Sequence, residues 1–366
     1  MACAGRWLIL RQGYTKLNVN ASAACLCPAA AVRPYNLRMK KSLLRSVAMV
    51  LASLLLLLST GWGALALWFQ LPGGEALRWA ALAVWAAAGV ATLVCWWRAR
   101  RARTLLPWLL VFALLLAWWG TIAPAQQRGW AADVARMVGG KVDGSIVTLD
   151  QVRNFDWRSD ADFTQRWEQR RYDLDRLRSV DVALSYWMGP AIAHTLVSFG
   201  FDDGRYLTFS IEIRKERGES FSALAGFFKR YETVLVAADE RDILRVRTNV
   251  RGEDMYLYRV KMAPAAMRSL FLAYLDEGAE LQRVPRFYNT LTANCTTIVF
   301  EMARRIDPGL PFDWRLLASG YLDRYLFDIG ALAGAGEFAQ LRETAHITAK
   351  ARAADKSGDF SASIRR

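Results

Sequence analysis

The sequence predicts an α+β domain that follows three transmembrane helices. Three apolar runs near the N-terminus, residues 47–69, 79–97 and 105–123, are each close to the ~20 residues that a membrane-spanning helix requires. From Phe155 onward, short apolar strands alternate irregularly with helical segments, and no internal repeat occurs. This mixture of strand and helix patterns is typical of an α+β domain.

The charges that flank the apolar runs predict their orientation. Basic residues precede the first helix and fill the loop between the second and third helices: Lys40, Lys41, Arg45, Arg98, Arg100, Arg101 and Arg103. The loop between the first and second helices, residues 70–78, has only Glu75 and Arg78. Because short loops rich in Lys and Arg stay in the cytoplasm, we expect a multi-pass protein with a cytoplasmic N-terminus and an exported C-terminal domain.

The net charge of +14 belongs mainly to the membrane region. Residues 1–126 hold 13 of the 48 Lys and Arg residues but one of the 34 Asp and Glu residues, so their net charge is +12. The remaining residues carry a net charge of only +2. Because a nucleic-acid-binding domain presents a strongly basic surface, the sequence disfavours nucleic acid as a partner and favours the lipid bilayer.

The composition predicts five segments along the chain. They are a disordered or mis-assigned start (1–38), a three-helix membrane anchor (39–123), a juxtamembrane connector (124–150), an exported α+β domain (151–335) and a flexible tail (336–366). The first boundary falls before Met39 because this residue and the two lysines after it are typical of the start of a membrane segment. The tail is rich in Ala, Lys and Ser, a composition that favours disorder.

Within the exported part, the patterns predict individual elements. Strands are expected at residues 145–149, 180–187, 195–201, 206–214, 233–237, 243–248 and 254–261. Helices are expected at residues 163–171, 221–231, 265–281 and 295–306, with shorter ones within 314–332.

Cys295 is the one cysteine of the exported part and the first candidate for chemistry. It follows Asn294, a strong N-cap residue, and so falls in the first turn of the helix at 295–306. A helix N-terminus stabilises a thiolate, and its free backbone N–H groups can receive a developing oxyanion. The alternative is a small, buried and unreactive structural cysteine.

His194 is the candidate base for this thiol. It begins an apolar strand, where a histidine is costly to bury without a role or a partner. Thr208, Ser210, Glu212 and Arg214 share one face of the strand that follows. If the two strands pair, Ser210 or Glu212 can orient the imidazole, and we favour Glu212 because a carboxylate stabilises an imidazolium better than a hydroxyl does.

Other motifs give little support for alternative chemistry. Asp156, Asp160 and Asp162 lack the spacing of a calcium loop, and the sequence has neither a phosphate-binding loop nor a metal-ligand pair in the exported part. We therefore expect neither a cofactor nor a metal. Five basic residues are interpreted as ordinary strand-face charges, or alternatively as the lining of a groove for an anionic substrate: Arg214, Lys215, Arg241, Arg245 and Arg247.

Several stretches together resemble the Lnb N-terminal periplasmic domain family. They span about residues 115–330 and include WWGTIAP, AHTLVSFGF, YLTFSIEIRKE, VAADERDILRVRTN and FYNTLTANCTT. The resemblance implies a periplasmic domain on an anchor in the bacterial inner membrane, in agreement with the predicted topology.

A looser similarity connects the chain with circularly permuted papain-like proteins, the NlpC/P60 and lecithin–retinol acyltransferase group. In those proteins a histidine strand precedes a helix that begins with the cysteine, the order of His194 and Asn294-Cys295 here. The third position departs from that group, which often uses a histidine or another polar residue there, whereas only Ser210 or Glu212 is available here. The similarity implies a permuted papain-like core in which Cys295 and His194 are catalytic. Glu212 as the third catalytic residue, with Ser210 and Asn294 in support, follows from the strand and cap patterns above.

These observations favour a membrane-anchored thiol hydrolase or acyltransferase. It would act on an amide, ester or thioester of an envelope component, and the sequence does not choose among lipid, lipoprotein and peptidoglycan. The alternative is a non-catalytic binding or scaffold domain in which Cys295 is structural.

Overall fold

The computed structural model describes residues 35–355 and 357–366. The predicted start segment falls outside the described residues over positions 1–34, and the first helix begins at Tyr35. The described residues divide into two compact units, the first containing residues 35–54 and the second residues 55–355 and 357–366. The described part of the first unit is helical, and the second unit contains the remaining elements considered below.

The helices include three that are long and apolar enough to cross a membrane, at Ser42–Gln70, Glu75–Ala99 and Ala102–Thr121. These spans contain most of the three predicted runs, so the prediction of three transmembrane helices is confirmed. In chain order the helices are α1 (Tyr35–Gln70), α2 (Glu75–Ala99), α3 (Leu106–Thr121), α4 (Ala223–Gly226), α5 (Glu240–Arg245), α6 (Pro264–Arg283), α7 (Cys295–Ile306), α8 (Leu322–Asp328), α9 (Phe338–Ala345), α10 (Thr348–Ala353) and α11 (Phe360–Ser363).

The strands form one large sheet and a small hairpin. They are β1 (Gly139–Asp143), β2 (Ile146–Arg153), β3 (Asp156–Trp157), β4 (Phe163–Thr164), β5 (Trp167–Asp173), β6 (Leu177–Tyr186), β7 (Ala193–Phe201), β8 (Tyr206–Arg214), β9 (Glu232–Ala238) and β10 (Asp254–Arg259). The large sheet has the order β1-β2-β9-β8-β7-β6-β10, with β5 also paired to β2, and β3 pairs with β4. The mixture of helices and sheet confirms the α+β class.

The two faces of β7 and β8 meet different environments. Phe199 and Phe209 pack against α6, where the Phe209 and Tyr274 rings stack with centroids 4.7 Å apart. The residues that alternate with them along each strand point to the opposite face. There the Ser198 hydroxyl donates a hydrogen bond of 2.5 Å to Glu240 of α5. The apolar face forms the main core, and the other face carries buried polar groups.

Two predicted elements have the wrong type. The helix expected at residues 163–171 is instead β4 and β5, because β5 pairs antiparallel with β2 from Ile146↔Asp173 onward. The strand expected at residues 243–248 is instead α5 followed by a π-helical turn. Asp239 caps α5 by accepting a 3.1 Å hydrogen bond from the Arg241 N–H. In both places tertiary packing and a local cap override the apparent propensity.

The helix expected at residues 221–231 is also shorter than predicted. Only Ala223–Gly226 is α-helical. Lys229 has a φ of 55°, a left-handed conformation that ends helical structure. The chain then turns into β9.

Residues 336–366 do not form the flexible tail that was predicted. Their described part contains α9, α10 and α11, and Ala351, Phe360 and Ile364 are buried in the main core. Phe360 and Ile364 lie four residues apart and so share one helix face. The prediction from composition missed these contacts because they involve only a few apolar residues in an Ala-rich segment.

The predicted connector at residues 124–150 contributes to the sheet. It contains β1 and more than half of β2, which pair from Gly139↔Asp150 to Asp143↔Ile146. Its first residues also contact the domain, since the backbone N–H of Ala125 donates a 3.0 Å hydrogen bond to Glu232 on β9. The segment that leaves the membrane is thus part of the folded domain.

Candidate active site

Cys295 is the first residue of α7, as the sequence predicted. The Asn294 side chain accepts hydrogen bonds of 2.9 Å from the backbone N–H groups of Thr296 and Thr297. The Thr297 hydroxyl in turn accepts a 2.9 Å hydrogen bond from the Asn294 N–H, which completes a capping box. This reciprocal cap fixes the backbone on both sides of the thiol.

The register of β7 and β8 brings His194 and Glu212 together. Leu196 pairs with Ser210 across these antiparallel strands. The same register, continued by two residues, places His194 opposite Glu212. The two strands thus pair, which was the condition for Ser210 or Glu212 to reach the imidazole.

The His194 ring contacts both predicted orienting groups. Its Nε2 atom lies 2.7 Å from the Ser210 hydroxyl oxygen and 3.1 Å from Glu212 Oε1. The Ser210 hydroxyl donates a 2.7 Å hydrogen bond to the same carboxylate oxygen. The sequence treated Ser210 and Glu212 as alternatives, whereas the structure places both beside the imidazole.

Arg247 pairs with Glu212 and also with a second carboxylate, the buried Glu253. Arg247 donates hydrogen bonds of 2.8 Å to Glu212 and 3.2 Å to Glu253, and Ser185 also donates to Glu253. The Arg247 and Glu253 side chains are both buried. A buried carboxylate without a cationic partner is costly, so Arg247 keeps Glu212 ionised next to the histidine.

Cys295 completes the buried polar group. His194 lies near enough to the thiol to favour its ionised form, and the backbone N–H of Thr195 donates to Sγ over 3.4 Å. Cys295 and His194 are only 4% and 7% exposed, so solvent screens the interaction weakly. The structure thus brings together all five predicted site residues: Cys295, His194, Glu212, Ser210 and Asn294.

The electrostatics favour a thiolate–imidazolium pair. Burial opposes the charge on His194, but Glu212 and Cys295 outweigh it and raise the pKa of His194 to about 9. Burial also disfavours the thiolate, yet the imidazolium and the Thr195 N–H lower the pKa of Cys295. Burial likewise opposes ionisation of Glu212, but His194 and Arg247 hold its pKa well below the usual range. The imidazolium thus stabilises both anions, although Glu212 and the thiolate disfavour each other's charge.

Tyr288 is a further site residue, and the sequence analysis did not select it. It lines the same pocket as Cys295, and burial, followed by the nearby Cys295 charge, raises the pKa of the phenol well above its usual value. Tyr288 lies seven residues before Cys295 in the loop that leads to α7. Its closeness in sequence to Cys295, within a polar loop, was the signal by which Tyr288 could have been selected.

The site opens into a cleft of about 530 Å³. Cys295, His194, Glu212, Asn294 and Tyr288 line it. Its mouth includes large, partly exposed apolar side chains: Trp187, Phe221, Phe227, Leu291 and Leu317. The volume is sufficient for a small-molecule or chain-like ligand.

Some of the basic residues considered for an anionic groove line the cleft, and others do not. Lys215 and Arg247 line the cleft. Both are paired with carboxylates, Lys215 with Asp133 at 3.3 Å. Arg214 instead donates 2.8 Å to the Ala135 carbonyl, and Arg245 pairs with Asp355 at 2.9 Å. Lys215, Arg247 and Arg245 are thus already paired with carboxylates of the protein.

Residues 163–320 match the family model of the Lnb N-terminal periplasmic domain. This confirms the family that the sequence motifs resemble, and the matched range includes the five predicted site residues and Tyr288. No curated protein and no solved structure matches the chain. The three helices and the periplasmic family together support an inner-membrane protein with a periplasmic domain.

Proposed function

We propose that the protein is a membrane-anchored periplasmic thiol hydrolase or acyltransferase. The observation that carries this proposal is the arrangement of Cys295, His194 and Glu212, in which a capped helix N-terminus presents a thiol to an imidazole held by a carboxylate. A nucleophile, a base and an orienting group in this order form the usual constellation of covalent acyl transfer. The order of histidine strand and cysteine helix supports a permuted papain-like arrangement.

The proposed reaction has two half-reactions. The Cys295 thiolate attacks the carbonyl carbon of an amide, ester or thioester, and the tetrahedral intermediate collapses to an acyl-enzyme when the leaving group takes a proton from the His194 imidazolium. Neutral His194 then takes a proton from the acceptor, whose oxygen or nitrogen attacks the thioester and releases the Cys295 thiolate. Water as acceptor gives a hydrolase, and an amine or hydroxyl gives a transferase.

The surrounding groups have positioning and stabilising roles in this proposal. Because Nε2 of His194 faces Ser210 and Glu212, Nδ1 is the nitrogen left for the thiol. The Asn294 side chain accepts from the N–H groups of Thr296 and Thr297, which leaves the Cys295 N–H and the Tyr288 hydroxyl as the donors that we propose beside the thiol. These two donors are our candidates for the oxyanion site.

The substrate is proposed to be an envelope component with a neutral acyl group. A positive-inside pattern supports a periplasmic position of the cleft, since Lys40, Lys41 and Arg45 precede the first helix. Lipid, lipoprotein and peptidoglycan all carry suitable amide or ester groups, and a domain held at the bilayer has access to each.

Alkylation of Cys295 by iodoacetamide, followed by mass spectrometry across a pH series, tests the proposal. We expect the full-length protein to be labelled well below the pKa of about 8.5 of a free thiol, since His194 lowers the pKa of Cys295. In His194→Ala the labelling should require a higher pH, because burial then disfavours the thiolate without a compensating cation.

His346→Ala is the matched control, because this second histidine pairs with Asp254 rather than with the thiol. Its labelling profile should equal that of the wild type. If Cys295 reacts only after denaturant is added, or if His194→Ala leaves the profile unchanged, Cys295 is structural and the alternative of a binding or scaffold domain replaces the enzyme.

A further inference from the structure

A short segment beside the cleft, residues 221–230, contacts the ends of the membrane helices. Phe228 stacks on Phe69 with ring centroids 5.6 Å apart, and it lies 6.2 Å from both Trp62 and Trp119. The carbonyl of Phe228 accepts a 2.7 Å hydrogen bond from Gln70 at the end of α1. Phe228 is thereby enclosed between α1 and α3.

Lys229 continues this attachment. Its ammonium group donates hydrogen bonds of 2.8 Å and 3.2 Å to the carbonyls of Trp119 and Ile122 at the end of α3. A cation is favoured at a helix C-terminus because the last carbonyls are unpaired there. The segment is therefore held by both helices and not by one aromatic contact alone.

The depth of Phe228 follows from the apolar run of α1. This run, residues 47–69, has 23 residues and is ~35 Å long at 1.5 Å per residue, close to the ~30 Å of the hydrocarbon core of a bilayer. Trp62 lies eight residues before Gln70, or ~12 Å along the helix. Phe228 is thus at the depth where the headgroup layer meets the hydrocarbon.

The opposite face of α4 is apolar and uncovered. Ala225 and Phe228 are buried, whereas Leu224 and Phe227 are 47% and 42% exposed. Leu224 and Phe227 are three residues apart, so they lie on one side of the helical turn. Large apolar side chains next to a buried, membrane-level anchor are typical of a surface that enters the interfacial layer.

The α4 turn is also fixed to the cleft. The Thr290 hydroxyl donates a 2.7 Å hydrogen bond to the Ala223 carbonyl, and a Cβ on Gly226 would lie only 2.2 Å from the same hydroxyl oxygen. Thr290 belongs to the loop that carries Tyr288 and Leu291 into the cleft. Phe227 itself lines the cleft, so the apolar turn and the cleft mouth form one continuous surface.

We infer that Leu224 and Phe227 form a lip of the cleft that inserts into the periplasmic leaflet of the bilayer, so that the cleft opens at the level of the lipid headgroups. The partner of this surface is the phospholipid layer around the helices. This inference rests on the position of α4 and is independent of any reactivity of Cys295.

Photocross-linking of the full-length protein tests this surface. The protein is placed in nanodiscs of phosphatidylethanolamine and phosphatidylglycerol with a trace of phosphatidylcholine that carries a diazirine at the top of one acyl chain. Illumination followed by peptide mass spectrometry should give lipid adducts on Leu224 and Phe227 as well as on the aromatic ends of α1 and α3.

Val142 is the matched comparison for exposure, since it is 49% exposed on the β1–β2 hairpin. The turn of that hairpin contacts Arg268, which lies fourteen residues, or ~21 Å, along α6 from Gln282 and the connector. It should carry no adduct. Adducts on α1 and α3 without any on Leu224 and Phe227, or equal adducts on Val142, would overturn the inference.

Discussion

At the scale of single residues, the site depends on a histidine that is buried in its charged form. His194 is almost inaccessible, and burial by itself lowers the pKa of a histidine. Here Glu212 and the Cys295 thiolate reverse that effect and raise the pKa of His194 to about 9. A group whose pKa is raised by folding stabilises the folded state below its unfolded pKa of about 6.5 and loses that contribution as the pH rises through its folded pKa.

The substitution Glu212→Gln tests this account. It removes the largest favourable charge on His194, so the pKa of the histidine should fall. The free energy of unfolding should drop by roughly 3–5 kcal/mol at neutral pH because a buried ion pair loses one partner. In the wild type, stability should decrease between about pH 6.5 and about pH 9, and the variant should lack most of this decrease.

Histidine-selective NMR measures the titration directly, because the sequence contains two histidines. Asp254→Asn serves as the control, since Asp254 contacts His346 and not His194. The His194 resonance should be unaffected in that variant. A wild-type His194 that titrates near 6.5, with or without Glu212, would contradict the proposed charge network.

At the scale of elements, α7 connects local sequence to site geometry. Its cap needs only Asn294 and Thr297, which the sequence places at the right spacing. Helix α7 then packs on β7, where the hydroxyl oxygens of Thr195 and Thr296 are 2.7 Å apart. The cap starts the helix at Cys295, and the contact with β7 aims the thiol at His194.

The substitution Asn294→Ala should therefore affect both stability and reactivity. Loss of the cap is expected to cost about 1 kcal/mol of unfolding free energy. The first turn of α7 should also fray, which weakens the His194 contact and slows iodoacetamide labelling of Cys295 at neutral pH. Denaturant unfolding and peptide-resolved labelling measure the two effects.

Asn294→Ser is the matched control because serine retains an oxygen that accepts from the backbone N–H groups. It should keep most of the stability and most of the labelling rate. Equal behaviour of the alanine and serine variants would mean that the cap does not position the thiol.

At the scale of the whole molecule, the last residues of the chain close a buried charge cluster. Arg365 donates hydrogen bonds of 2.8 Å to Asp181 on β6 and 2.6 Å to Glu240 on α5. Both carboxylates are almost fully buried, and the guanidinium also lies 3.6 Å above the Tyr206 ring. The C-terminal segment thus supports the sheet face on which the site residues lie.

Replacing this arginine with methionine, Arg365→Met, should destabilise the protein by roughly 3–5 kcal/mol, because it leaves buried carboxylates with less compensation. Thermal or denaturant unfolding of the full-length protein measures the loss. The neighbouring Arg366→Met is the control, since its side chain is 78% exposed and its pair with Asp359 is solvated. That variant should change stability by no more than roughly 0.5 kcal/mol. Equal effects of the two substitutions would contradict this role of Arg365 and would support the prediction of a flexible tail.

The sequence by itself determined the features that depend on short stretches of chain. The three apolar spans follow from length and hydropathy, α7 begins at Cys295 because Asn294 caps it, and the alternation in β8 puts Ser210 and Glu212 on one face. Each of these is set by residues within a few positions of one another, so local physical chemistry suffices to predict it.

Only the tertiary structure decided the features that depend on distant partners. Residues 163–171, predicted as a helix, form strands, and β5 among them pairs with β2. Phe360 and Ile364 of the predicted tail are buried in the core. The tertiary structure also pairs Arg247 with both Glu212 and Glu253, and it brings Tyr288 close to Cys295. Burial and ion pairing join residues far apart in the chain, and their free energy exceeds the small local propensities that a sequence pattern reports.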